Sequence, residues 1–224
     1  MTALLALSGS SRPAVASGDL RTVALRGDAA PGTEPGVEFS WFSPPALNNE
    51  GRVAFRSSLT GSVGSVGNEA IYAEDAQDGL SLIARQGEAA PTGASATTFN
   101  LFTNPSLGDD GSMAFFAELV PTDNSFFNTA LFQAGAGASL STVAQAGEIV
   151  PDGSPSESFL AFGSTTNTGR ISTTNNFPAY ALLNGQQQAA LLGLHASDRE
   201  DASLETSVFR SSNEGGFVFR RTKW

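Results

Sequence analysis

Of the 224 residues, 40% are hydrophobic, which is enough for a core and too many for intrinsic disorder. Twenty-four glycines and eleven prolines beside only 15% charged residues favour many turns and short strands over long helices. A net charge of −10 opposes a phosphate backbone and excludes nucleic acid as the expected partner. The absence of cysteine excludes disulfides, thiolate zinc sites and cysteine nucleophiles.

In chain order, residues 1–20 come first. Ala3-Leu4-Leu5-Ala6-Leu7 is a short apolar run, and Ala14-Val15-Ala16 before Ser17 has the small-x-small form of a signal-peptidase site. The expectation is a residual signal peptide or a disordered arm, on a protein that is secreted or displayed at a bacterial cell surface. No stretch approaches the roughly 20 apolar residues that span a bilayer as a helix, so no transmembrane segment is expected. The basic residues Arg220, Arg221 and Lys223 make too short a cluster to alter the acidic balance.

Residues 21–224 read as a single β-repeat domain. Gly27, Gly87 and Gly147 recur at a spacing of 60, each followed by an acid (Asp28, Glu88, Glu148) and, three residues on, by Pro31, Pro91 or Pro151. Phe39, Phe99 and Phe159 keep the same register, as do Phe42, Phe102 and Phe162. Gly51-Arg52-Val53-Ala54-Phe55 matches Gly111-Ser112-Met113-Ala114-Phe115, and Ala70-Ile71-Tyr72 matches Ala130-Leu131-Phe132 and, by spacing, Ala190-Leu191-Leu192.

Each unit reads as four short strands, in the first copy near residues 38–42, 52–59, 69–74 and 80–85. The consecutive apolar residues Val53-Ala54-Phe55 suit a strand covered on both faces, with Ala54 and Ala114 on a close-packed side. Phe55 and Phe115 are expected between successive sheets. Gly61-Ser62-Val63-Gly64-Ser65-Val66-Gly67 lies between two strands and reads as a hairpin loop rather than a phosphate cradle.

The third copy reads as decayed, with Ser172-Thr173 standing at the Ala-Phe position and a fourth strand near residues 204–209. Asn213-Glu214-Gly215-Gly216-Phe217-Val218-Phe219 echoes Asn49 to Phe55 and is expected to open a truncated fourth unit. The fold class is therefore all-β, with tandem four-stranded antiparallel repeats forming a partial or open β-propeller. The alternative is a three-sheet β-prism.

Asn48-Asn49-Glu50-Gly51-Arg52-Val53-Ala54-Phe55 fits the pattern NxxGxxAF. In this it resembles the bacterial exported tandem-repeat proteins named for that motif, which carry varied surface anchors and have no assigned activity. The second copy keeps Gly111, Ala114 and Phe115 but has Gly108 for the asparagine. The resemblance implies export and gives no activity.

Catalytic chemistry finds little support. His195 is the only histidine, read as lying in a loop, and one imidazole makes no multi-histidine metal site. Asp109-Asp110 and Glu200-Asp201 could in principle supply a carboxylate pair for glycoside hydrolysis, but both read as turn or surface acids, and Glu205 adds nothing specific. Asp28, Glu88 and Glu148 are expected to make local backbone contacts rather than to bind calcium. The paired phenylalanines read as core. Trp41 is different, because its equivalents are Leu101 and Ala161, and Phe126-Phe127 reads as an exposed patch.

No catalytic, metal or cofactor residue is assigned. The expected function is a non-enzymatic exported module for binding or structure, with an unknown extracellular protein or carbohydrate as partner. An extracellular polysaccharide hydrolase using paired carboxylates is the alternative.

Overall fold

The structure is a computed structural model that describes residues 20–63, 67–92, 97–121, 128–135 and 139–149, together with the strands that follow them. No helix occurs among the described residues. The first sheet comprises β1 (Val37–Phe42), β2 (Ala46–Leu47), β3 (Val53–Gly61), β4 (Glu69–Glu74) and β5 (Leu80–Arg85), in the order β1-β3-β4-β5 with β2 beside β3. The second repeats it with β6 (Thr97–Phe102), β7 (Ser106–Leu107), β8 (Met113–Pro121), β9 (Asn128–Ala134) and β10 (Ser141–Gln145). The third holds β11 (Glu157–Phe162), β12 (Leu182–Leu183), β13 (Ala189–Ser197), β14 (Glu205–Ser211) and β15 (Phe217–Arg220). All pairings are antiparallel, and the first strand of every sheet carries the same register shift, at Phe39/Trp41, Phe99/Leu101 and Phe159/Ala161.

The Ala-Phe dipeptide is explained by the pleat. Neighbouring residues of a strand point to opposite faces, so Phe55 packs behind the first sheet and Ala54 in front. The front face, with Ala54, Ile71, Ala73 and Ala84, forms one core with Phe99, Phe102, Phe115 and Phe132 of the second sheet. Small residues on one sheet thus receive the aromatic ridge of the next. Within that ridge Phe99 and Phe132 meet edge-on at 5.1 Å and Phe115 stacks on Phe132 at 5.7 Å.

Phe115 is buried between two sheets as expected. Phe55 is also buried, but among the described residues no sheet lies behind it. Its cluster, with Val37, Phe39 and Tyr72, is closed by Val23, Ala24 and Ala30 of the chain that precedes β1. The Tyr72 hydroxyl donates to the Pro31 carbonyl at 3.2 Å, and burial pushes its pKa up to about 12.

The glycine–acid turn carries the chain from one sheet to the next. Gly27, Gly87 and Gly147 have φ of 89°, 84° and 91°, a region that L side chains enter at a cost. Their N–H groups donate to Phe39, Phe99 and Phe159 carbonyls at 2.7–2.8 Å, and Ala29, Ala89 and Ile149 bridge to Glu38, Thr98 and Ser158. The turns at Gly87 and Gly147 therefore leave the sheet before them and pair with the first strand of the sheet after, and the turn at Gly27 pairs with β1 in the same way.

The third unit corrects the fixed 60-residue spacing. β3 begins at Val53 and β13 at Ala189, 136 residues later where two whole repeats would be 120, so 16 residues have entered ahead of β13. Ala190 pairs with Leu182 as Ala54 pairs with Ala46, and Leu191 pairs with Phe209 as Phe55 pairs with Tyr72. Ala190-Leu191 therefore holds the Ala-Phe position, not Ser172-Thr173, which lie outside the described residues.

Phe217–Arg220 pairs with β14 and completes the third sheet as its fourth strand, so it does not open a fourth unit. Of the stretch expected as fourth, residues 205–209 fall in β14, the third strand in that order, and Leu204 lies outside the described residues.

Candidate functional site

The NxxGxxAF asparagine is a structural device. Asn48 is 7% exposed. Its Oδ1 accepts the N–H groups of Glu50 (3.1 Å) and Arg52 (2.9 Å), closing the hairpin between β2 and β3, while Nδ2 donates across to the Gly108 carbonyl of the next unit at 3.0 Å. Asn49 adds two bonds to the Asp109 carboxylate, at 3.0 and 2.8 Å. In the second unit Asp110 takes over the local work, accepting from the Ser112 N–H and hydroxyl. With these side chains in place, a Cβ at Gly108 would stand 2.9 Å from both Asp110 Oδ1 and Ser112 Oγ.

Asp109 thus ties two units together, and Asp110 holds its own turn. The three turn acids are similar. Asp28 Oδ2 accepts the Leu25 N–H and Glu148 Oε2 the Gln145 N–H, both at 2.9 Å, and Glu88 bonds the Arg85 backbone in the same way. Glu74, whose side chain is 1% exposed, receives Arg21 at 2.7 Å and the Val53 N–H at 2.9 Å. Asn100 donates to the buried Glu118. Among the described residues no three metal-ligating side chains gather.

His195 lies in β13 rather than a loop. It pairs with Phe159 on one side and Glu205 on the other, at the register position of the buried Leu59 and Leu119. Neither backbone position is a turn. Glu200-Asp201 and Phe126-Phe127 lie outside the described residues, as do residues 1–19, where an export signal is expected, and Gly64, Ser65 and Val66 of the hairpin loop after Gly61.

The departure from the repeat lies on the front face of the first sheet. Trp41 pairs with Ser58, and Ser58 with Glu69, so Trp41, Arg56 and Glu69 share the face turned toward the second sheet. Trp41 is 50% exposed, with the Arg56 guanidinium 5.6 Å from its ring centre. Arg56 Nη1 reaches Glu69 Oε1 at 3.4 Å and the Phe102 carbonyl at 3.3 Å, both long. Arg56 Nε and Glu69 Oε2 are buried without a hydrogen bond, each a loss of about 1–3 kcal/mol. Burial holds the Glu69 carboxyl above its ordinary pKa, against the opposing pull of Arg56 and the Phe102 backbone.

The 60-residue equivalents of Trp41, Arg56 and Glu69 are Leu101, Phe116 and Thr129, the last two each 1% exposed. Trp41 was visible in the sequence as an aromatic the repeat does not require. Arg56 and Glu69 were missed, although comparing them with Phe116 and Thr129 at the same offset would have found them.

A family model described as "Family of unknown function (DUF7453)" matches residues 11–88 and 76–218. No curated protein and no solved structure matches the chain.

Proposed function

We propose that this chain, which belongs to the family of unknown function DUF7453, is a non-enzymatic exported or cell-surface module that acts by binding. Its sheets, stacked face on face, are the blades of a partial or open β-propeller. One observation carries the reading. The acids at Asp28, Glu74, Glu88, Asp109, Asp110 and Glu148 all hold backbone or neighbouring side chains in place, whereas the half-exposed Trp41, with the Arg56 guanidinium against its ring, has only Leu101 at its place in the second unit. A recognition surface uses an amphipathic aromatic with a few placed polar groups. Export is supported by the small-x-small segment Ala14-Val15-Ala16 and by the likeness to NxxGxxAF proteins.

Purified protein incubated with a panel of polysaccharides tests the reading when both retention and new reducing ends are followed. The expected result is retention on at least one polymer with reducing ends at the buffer level. Release of reducing ends that disappears in Asp109→Asn would make the protein a hydrolase instead.

A further inference from the structure

We infer that Trp41, Arg56 and Glu69 form a binding subsite for a neutral sugar residue of an extracellular polysaccharide, an assignment that rests on the binding-module reading and gives it a location. The repeat supplies the control. At the same places on the second sheet stand Leu101, Phe116 and Thr129, so the backbone can be built with apolar and small polar residues there. The first unit instead keeps an arginine and a glutamate whose Nε and Oε2 are buried without partners. A charged pair that the duplicated copy replaces with Phe116 and Thr129, and whose arginine stands against a half-exposed indole, departs from what the repeat needs in order to fold and marks a site kept for another purpose.

The geometry selects the ligand class. Arg56 lies against the Trp41 ring, and half of the indole's surface remains open to solvent. An open indole face is a platform for the C–H face of a pyranose. Against the ring stands the Arg56 guanidinium, which only donates, and Arg56 in turn reaches the Glu69 carboxylate, which accepts, so the group matches hydroxyls that do both. The long contacts of Arg56 to Glu69 and Phe102, 3.4 and 3.3 Å, leave it weakly committed within the protein. Charge excludes the acidic polymers. Glu69, which Arg56 reaches at 3.4 Å, and the net charge of −10 both repel a polyanion.

Trp41 and Trp224 are the only tryptophans, so Trp224→Phe leaves Trp41 as the sole indole reporter. The experiment follows its emission during titration with a soluble β-glucan, a xylan and a mannan, with alginate as the charged arm. A neutral polymer is expected to shift the emission to the blue. Affinity electrophoresis of otherwise native protein should then show at least a tenfold weaker interaction for Trp41→Leu, which copies the second unit and should leave the melting curve unchanged.

Equal retention of Trp41→Leu and parent would overturn the subsite while leaving the module reading standing. Binding of alginate alone, or of none of the four polymers, would overturn the neutral-sugar assignment. Release of reducing ends would overturn the module reading itself.

Discussion

In the first sheet the face turned toward its neighbour carries Trp41, Arg56 and Glu69, while in the second the same three positions are Leu101, Phe116 and Thr129. The strands, bulges and pairings around them coincide. The two sheets therefore separate what the repeat needs in order to fold from what one copy has acquired. Ala54 and Ala114 or Phe55 and Phe115 are the folding part, all buried in both copies. Among the described residues, two of the buried polar atoms without partners, Arg56 Nε and Glu69 Oε2, belong to the part that differs, and the third, Asn128 Oδ1, belongs to an asparagine that the first sheet also has, as Asn68.

The shared part is broken most severely at the aromatic ridge. Phe115→Ala should cost about 3–5 kcal/mol in chemical denaturation, because both sheets lose contacts and a cavity remains between them. Phe55→Ala should cost less, since the chain before β1 can follow the cavity inward more readily than a sheet can. Equal losses would mean that this covering segment is as rigid as a sheet.

The differing part is sharpened by making the first sheet resemble the second. Arg56→Phe with Glu69→Thr should leave stability at pH 7 unchanged or raise it by about 1–4 kcal/mol, as replacement of a desolvated ion pair commonly does. The sign of its pH dependence follows from Glu69. A carboxyl whose pKa is raised in the folded state holds its proton to higher pH than the unfolded chain does. The parent's deficit should therefore be full above that raised value, shrink as pH falls through it, and vanish below the ordinary pKa of 4.5. Glu88 is raised too, but it is common to both proteins and cancels in the difference. A gap between parent and variant that does not change with pH would place the cost elsewhere.

The smallest expected effect concerns the link between the two sheets. Asn48→Asp keeps the acceptor for Glu50 and Arg52 but loses the donation to Gly108, and should cost about 1 kcal/mol. Asn48→Gly, the residue of the second unit, should cost more because it loses all three bonds.

The first two units were legible because their spacing is constant and the pleat turns an Ala-Phe pair into two covered faces. The third was misread for a physical reason. Both the second and the third long strand of a unit contain an alanine followed by large apolar residues, as in Ala54-Phe55 and Ala70-Ile71-Tyr72. With 16 residues inserted, Ala190-Leu191-Leu192 fell at the spacing of the latter while occupying the place of the former. Asn213 to Phe219 misled in the same way, since a glycine before an apolar strand recurs throughout the repeat. The asparagine of the motif was recognised, but its donation to Gly108 spans 60 residues and depends on how two sheets stack.

The turn that joins successive sheets has a further consequence for solubility. An unpaired strand edge is a template on which another chain can add, and β-proteins must guard against it. Here the residues just past each glycine bond to the outer side of β1, β6 and β11, at Phe39, Phe99 and Phe159. The connecting segment thereby occupies the edge at which a second molecule would start a new strand, so growth of edge-to-edge aggregates is opposed at three points, two of which, at Gly87 and Gly147, also hold consecutive sheets together.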